Sequence, residues 1–205
     1  DIKLTNKGLP LTIKGNERPL PVNYLENKGS AQVKSSIILA GLKTEGKTFI
    51  KAKPSRNHTE LLCKYLMLPL KVKKKKNYDL IEVEKIKKIK PLNYKIPSDI
   101  SSAAFFIVLT ALSNNSKLLI KNVNINPSRI GIITILKKMG VNIQFKNKKK
   151  YKGELVADIS IISTKKLKAI NCPSKLNSGA IDEFLIIFLV AAKASGVSYF
   201  KDIGE

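Results

Sequence analysis

Three short stretches of this 205-residue chain carry side chains suited to holding a phosphorylated or carboxylated small molecule. The first is Gly29-Ser30-Ala31-Gln32, at the start of an apolar helical pattern that runs to Leu42. A helix N-terminus presents unpaired backbone N–H groups and the positive end of the helix dipole, so it attracts anions. Ser30 adds a hydroxyl there and Gln32 an amide, although the same serine would serve equally as an N-cap without any ligand. The second stretch is Ser55-Arg56-Asn57-His58, opening a helical pattern through Leu61, Leu62, Tyr65 and Leu66. The planar fork of Arg56 matches phosphate and carboxylate oxygens, with Ser55 as a neighbouring donor. Its plain alternative is a surface cation after a serine cap. The third is Asp182-Glu183, set between Ala180-Ile181 and Phe184-Leu185-Ile186-Ile187. Neighbouring helical side chains diverge by about 100°, so one carboxylate can face a cleft while the other caps the helix. Bulky apolar neighbours disfavour the ionised form of a carboxyl group, which is the condition for a general base. An acidic pair at a helix start also complements the dipole with no chemistry implied. Asp99-Ile100-Ser101-Ser102 reads most simply as another N-cap.

Other chemistries find less support. One histidine, His58, and two distant cysteines, Cys63 and Cys172, do not supply a zinc-binding set, so no metal is expected. Cys63 falls in an apolar helical pattern and reads as core; Cys172 precedes Pro173 in a loop. Unpaired cysteines fit a reducing, cytoplasmic location. The longest apolar run, Ala180 to Ala192, is broken by Asp182 and Glu183 and falls short of the ~18 residues a membrane span needs, so no membrane partner is expected. The sequence opens with neither an initiator methionine nor a basic n-region followed by an apolar stretch, and a start at Asp1 suggests a trimmed or excised piece. The net charge of +23 would ordinarily suggest nucleic acid. Yet only Arg18, Arg56 and Arg129 are arginines among 38 basic residues, and interleaved aromatics are lacking. A lysine-coated surface is the simpler reading, with a basic nucleic-acid-binding protein as the rival of a different class.

The elements that must position these residues follow an internal repeat. Pro54-Ser55-Arg56 and Pro127-Ser128-Arg129 stand 73 positions apart. Each opens a helical pattern, the second through Ile132, Ile133, Leu136 and Met139. Strand patterns precede them at Thr48 to Lys51 and Leu118 to Lys121, and apolar helices precede those at Ala31 to Leu42 and Ser101 to Leu112. A third copy is expected to begin with a helix from Ala180 to Ala194 and continue into a strand from Ser198 to Lys201. Further strands are expected at Leu11 to Lys14, Asp79 to Val83, Asn142 to Phe145 and Ala157 to Ile162. The lysine runs 71–76 and 146–150 flank turn-like Asn77 and Asn147 and read as solvated hairpins. The stretch Lys85 to Ser98, with Pro91 and Pro97, is the expected boundary between two lobes. The fold class is therefore α/β, built from repeats of 70–80 residues.

The residues now compose a recognisable pattern. Ser30-Ala31-Gln32-Val33-Lys34-Ser35 with Leu39-Ala40-Gly41-Leu42 resembles a signature of bacterial 3-phosphoshikimate 1-carboxyvinyltransferases, the EPSP synthases. So do Pro54-Ser55-Arg56-Asn57-His58-Thr59-Glu60, the string from Ile96 to Phe106, Asn126-Pro127-Ser128-Arg129, Leu136-Lys137-Lys138-Met139-Gly140 and Ile181-Asp182-Glu183-Phe184. Asn57 stands where the family more often has aspartate, and Leu185 where it has proline. The resemblance runs through nearly the whole chain but covers only about half of the family's length.

It implies a fold of repeated βαβαββ units in two lobes, with residues 1–96 in the first lobe, 97–205 in the second and a hinge near 96–99. It implies transfer of the carboxyvinyl group of phosphoenolpyruvate to the 5-hydroxyl of shikimate 3-phosphate, with no cofactor and no metal, by a protein that is monomeric when full length. By resemblance, Ser30, Ala31 and Gln32 bind shikimate 3-phosphate, and Gln32 also reaches phosphoenolpyruvate. Ser55 and Arg56 lie near the shikimate phosphate, Asp182 takes the hydroxyl proton, the adjacent Glu183 binds substrate and Asp99 is a structural hinge-region residue. The remaining cations of the phosphoenolpyruvate clamp are absent from these residues, so the piece alone is expected to be inactive. UDP-N-acetylglucosamine 1-carboxyvinyltransferase, of the same fold, is the nearest enzyme alternative.

Overall fold

The computed structural model describes residues 2–5 and 8–204. In chain order the elements are β1 (Ile2–Thr5), β2 (Gly8–Ile13), β3 (Asn23–Glu26), α1 (Ala31–Gly41), β4 (Lys47–Ala52), α2 (His58–Tyr65), β5 (Leu70–Lys74) and β6 (Asp79–Glu84). There follow α3 (Ile100–Leu112), β7 (Lys117–Asn124), α4 (Gly131–Lys138), β8 (Asn142–Tyr151), β9 (Glu154–Ile162) and β10 (Asn171–Cys172). Two 3-10 turns (Ser174–Gly179, Ile181–Glu183), α5 (Phe184–Lys193) and β11 (Tyr199–Phe200) complete the order. Contacts divide the chain into two compact units, one of residues 1–54 and 67–89 and the other of residues 55–66 and 90–205. The segment bearing α2 thus groups with the second unit.

In the first unit the order β3-α1-β4-α2-β5-β6 is one βαβαββ repeat with its second helix placed elsewhere. The sheet order is β3-β4-β6-β5, with β3 parallel to β4 and the other pairs antiparallel. Strand β4 alternates strictly, burying Thr48, Ile50 and Ala52 against Ile81 and Val83 of β6. Helix α1 lays Ile38 and Gly41 on this face. A Cβ at Gly41 would sit 3.2 Å from the Thr48 Cβ and 3.3 Å from the Val83 Cβ, so glycine there sets how closely helix meets sheet. Strands β1 and β2 form a separate antiparallel pair.

The second unit repeats the plan around a larger core. Strands β7, β9 and β8 form an antiparallel sheet in that order. Ser98 bridges in parallel to Val123 of β7, taking the place of the missing first strand. Ile107, Val108, Ile132, Leu136, Ile159, Ile161 and Ile187 are all within 2% of complete burial. A third copy starts earlier than the sequence pattern suggests: β10 pairs in parallel with β11, with α5 between them, as α1 lies between β3 and β4. The expected hairpin forms between β8 and β9, but Asn147 lies at a strand irregularity rather than at its turn. The β8–β9 register shifts between Lys146 and Lys149, and the chain reverses at Lys152-Gly153, both with positive φ (46° and 93°). Paired positive φ values define the tight hairpin turn whose twist suits the flanking strands. Asn77 does lie in the β5–β6 turn, closed by the Lys75 N–H donating to the Tyr78 carbonyl.

Candidate functional site

The site in the second unit is assembled from four helix beginnings. Asp99 caps α3, its carboxylate accepting from the Ser102 N–H at 2.9 Å. Arg129 lies just ahead of α4, Arg56 just ahead of α2, and Asp182 and Glu183 occupy the 3-10 turn ahead of α5. Backbone contact sets the last of these. A Cβ on Gly131 would lie 2.6 Å from the Gly179 carbonyl carbon and 2.8 Å from the Ala180 nitrogen, so α4 begins against the bare chain of the 3-10 turns. That approach, with Ala180 in a non-helical conformation at φ −134° and ψ 12°, delays the helix expected from Ala180 until Phe184.

The two carboxylates diverge as their adjacency predicts. Asp182 is 44% exposed at its side chain, whereas Glu183 is only 2% exposed. Glu183 holds the N-cap position of α5, but its side chain makes no capping hydrogen bond. Its Oε1 accepts the Ser101 hydroxyl, and its enclosed Oε2 has no hydrogen-bond partner. Burial pushes the Glu183 carboxyl above the usual carboxylate range, against the opposing pull of Ser101 and Arg129.

Arg129 is the hub. Its Nη1 donates to Asp182 Oδ2 at 2.6 Å and its Nη2 to the Ser101 oxygen at 2.5 Å. Asp99 Oδ1 and Glu183 Oε1 stand 3.5 and 3.9 Å from the same Nη2. A cation at a helix N-terminus meets the wrong end of the dipole, and this one is only 12% exposed at its side chain. Burial disfavours its charge, but the hydrogen bond to Asp182 and the three carboxylates outweigh that and hold Arg129 firmly protonated. Burial likewise works against Asp99, yet the N–H groups of Ser102 and Ser101 and the nearby guanidinium leave its carboxyl below the usual range. Arg56 joins the group with Nη1 3.3 Å from Asp182 Oδ2.

A second polar cluster fixes the start of α2, just after Arg56. His58 Nδ1 meets Glu154 Oε1 at 2.6 Å, and the Asn126 amide donates to Glu154 Oε2 at 3.2 Å and to Asn57 Oδ1 at 2.9 Å. Burial tends to raise the Glu154 carboxyl, but the hydrogen bond and charge of His58 and the asparagine amides bring it below the usual range. Beside Arg56, the Ser55 hydroxyl is enclosed and has no hydrogen-bond partner. A cavity of about 280 Å³ borders this region, lined by His58, Asp99, Arg129, Lys152 and Glu154 among others.

Of the residues singled out from the sequence, Arg56, Asp182 and Glu183 meet around Arg129, and Ser55 adjoins Arg56. Ser30, Ala31 and Gln32 form the start of α1 in the first unit. There Ser30 caps the helix, its hydroxyl oxygen accepting from the Val33 N–H at 3.3 Å. Glu26, at the end of β3, accepts from the N–H groups of Lys28 and Gly29, both at 2.9 Å, and so shapes the loop leading to Ser30. Gly29 takes φ +79°, which favours glycine. Sequence reasoning did not single out Arg129 as the hub, nor Ser101 as its partner, nor Asn126 and Glu154 as the cluster about His58.

All 205 residues match the family model described as EPSP synthase (3-phosphoshikimate 1-carboxyvinyltransferase). The chain belongs to the EPSP synthase family. Among curated relatives, it is 42% identical over 205 residues to the 3-phosphoshikimate 1-carboxyvinyltransferase of Ruthia magnifica subsp. Calyptogena magnifica, covering all of this chain and 46% of that one. It is 39% identical over 198 residues to that of Zymomonas mobilis subsp. mobilis, covering 96% of this chain and 44% of the relative. The chain thus spans a little under half the length of these EPSP synthases. The solved EPSP synthase from Acinetobacter baumannii superposes with a TM-score of 0.82 at 38% identity, over 97% of this chain and 45% of the other. The enolpyruvyl transferase NikO from Streptomyces tendae, at 15% identity and a TM-score of 0.65, shares the fold. The α/β architecture of repeated units is that of the EPSP synthase and enolpyruvyl transferase structures, present here in part. Among the described residues no helix is long and apolar enough to cross a membrane.

Proposed function

We propose that this chain forms part of an enzyme that transfers the carboxyvinyl group of phosphoenolpyruvate to the 5-hydroxyl of shikimate 3-phosphate and releases inorganic phosphate. The observation that carries this reading is the meeting of Arg56 and Asp182, 126 positions apart, in one ion pair within a chain of this family. Asp182 accepts the proton of the attacking hydroxyl; the hydroxyl oxygen adds to the phosphate-bearing carbon of phosphoenolpyruvate as the methylene carbon takes up a proton. Loss of a proton from the methyl group so formed, together with departure of phosphate, restores the double bond. Ser30, Ala31 and Gln32 bind shikimate 3-phosphate through the start of α1. Gln32 also extends to phosphoenolpyruvate, and Arg56 with the unpartnered Ser55 hydroxyl serves the shikimate phosphate. Glu183, enclosed behind Asp182, influences substrate only through Ser101 and Arg129.

In the complete protein we place residues 1–96 and 97–205 in two lobes hinged near 96–99, a division that differs from the contact-based units at residues 55–66 and 90–96. We take that protein to be a cytoplasmic monomer; the two buried thiols, Cys63 and Cys172, suit a reducing compartment. The decisive experiment is Asp182→Asn in the complete enzyme. Loss of a general base should lower kcat by ~10²–10⁴-fold while shikimate 3-phosphate still binds. Near-normal turnover would remove Asp182 from this role. Consumption of UDP-N-acetylglucosamine instead of shikimate 3-phosphate would reassign the acceptor.

A further inference from the structure

The two oxygens of Asp182 are treated differently by their surroundings. Both guanidinium contacts fall on Oδ2, from Arg129 Nη1 at 2.6 Å and Arg56 Nη1 at 3.3 Å. No hydrogen bond to Oδ1 is found among the described residues, and the side chain is 44% exposed. The two arginines are also unequal. Arg129 is 12% exposed at its side chain and tied in addition to Ser101, with Asp99 and Glu183 close by. Arg56 is 27% exposed and holds Asp182 by the longer contact.

We propose that Arg129 is the positioning residue for Asp182: it anchors Oδ2 from within the protein so that Oδ1 is presented to the substrate hydroxyl, while Arg56 is released to the anionic substrate. This rests on reading Asp182 as the proton acceptor. A carboxylate that rotates about its side-chain bonds spends much of its time misdirected, and a fixed partner on one oxygen removes that freedom. Arg129 can do this because its own fork is immobilised. Its second nitrogen is held by the Ser101 oxygen, and Ser101 is in turn held by Glu183. Arg129 survives substrate binding in place because three carboxylates surround it. Arg56 is the more exposed of the two and holds Asp182 by the longer contact, so a phosphate dianion would draw it, rather than Arg129, away from Asp182. Lysine at position 129 would keep the charge but could not span Asp182 and Ser101 with a rigid fork.

The test uses the complete enzyme, with kcat and both KM values measured for Arg129→Gln, Arg129→Lys, Asp182→Asn and the double variant Arg129→Gln/Asp182→Asn. Arg129→Gln should lower kcat by ~10²-fold with each KM changed less than about threefold, and Arg129→Lys should recover about a tenth of the wild-type kcat. Residues acting as a unit are not additive, so the double variant should turn over no more slowly than Asp182→Asn alone. If the Arg129→Gln penalty persists undiminished in the Asp182→Asn background, or appears in KM, Arg129 does not act through Asp182 and the proposal is overturned. Wild-type kcat in Arg129→Lys overturns it too, and that variant decides the matter should Arg129→Gln fail to fold. Near-normal turnover in Asp182→Asn would instead remove the reading on which the proposal rests.

Discussion

Glu183 and Glu154 are both nearly enclosed carboxyls, at 2% and 6% exposure, yet their surroundings act in opposite directions. Glu154 has His58 and Asn126 to satisfy it, whereas Glu183 leaves one oxygen without a partner beside Asp182 and Asp99. The folded state therefore binds the Glu183 proton more tightly than the unfolded chain does. Stability from this group is greatest below the ordinary glutamate value of 4.5 and is lost as pH rises through the higher folded value. Glu154 has the reverse sign, stabilising fully above 4.5 and losing that contribution as pH falls through its lower folded value. Glu183→Gln should accordingly raise Tm at pH 7 by about 3 °C, the effect of ~1 kcal/mol in a chain of this size, with the gain vanishing near pH 4. Thermal scans of wild type and variant across that range decide it; an equal shift at both pH values would mean that buried charge is not the cause.

Among elements, the most exacting contact is that of α4 against the 3-10 turns. Gly131→Ala ought to stabilise an isolated helix by about 1 kcal/mol. Here its Cβ would lie 2.6–2.8 Å from three backbone atoms of Gly179 and Ala180, none of which can rotate away as a side chain would. Overpacking of this kind costs roughly 1–3 kcal/mol, so the variant should be less stable despite the helix gain. Because the displaced backbone leads directly to Asp182, kcat should fall as well. An unchanged Tm and kcat in Gly131→Ala would show that the approach is looser than described.

The sequence did disclose most of these elements. The alternation of Thr48, Ile50 and Ala52 marked β4, and the paired Pro-Ser-Arg triplets marked the repeat. The turn at Lys152-Gly153 was less visible because a lysine adopts positive φ there, while Asn147, the better turn former, occupies a bulge. Arg129 was on view as a rare arginine but in the same local setting as Arg56. Only the folding of α3, α4 and the 3-10 turn onto one another distinguishes a hub buried among three carboxylates from a more exposed partner.

At the scale of the molecule two surface properties compete. Helices α3 and α5 leave Phe105, Phe106, Leu109, Leu185 and Leu189 between 50% and 85% exposed. Each such side chain gains roughly 1.5–3 kcal/mol if fully buried, so a cluster of them favours association. The net charge of +23 opposes it by mutual repulsion. The apolar gain is short-ranged and little affected by moderate salt, whereas the repulsion is screened, the Debye length falling from about 30 Å at 0.01 M to about 10 Å at 0.1 M. The 205-residue chain by itself should therefore bind an apolar dye and shift to larger species as salt is raised through that range. Leu185→Glu with Leu189→Lys should suppress both effects without altering the net charge. Light scattering and dye fluorescence measured together over a salt series test this. Binding of nucleic acid would run the other way, weakening as salt rises because counterions are released on complex formation. A chain that stays monomeric and dye-silent at every salt concentration would show that the exposed face of α3 and α5 does not drive association, and a strong salt-weakened attachment to nucleic acid would restore the rival reading of the lysine surface.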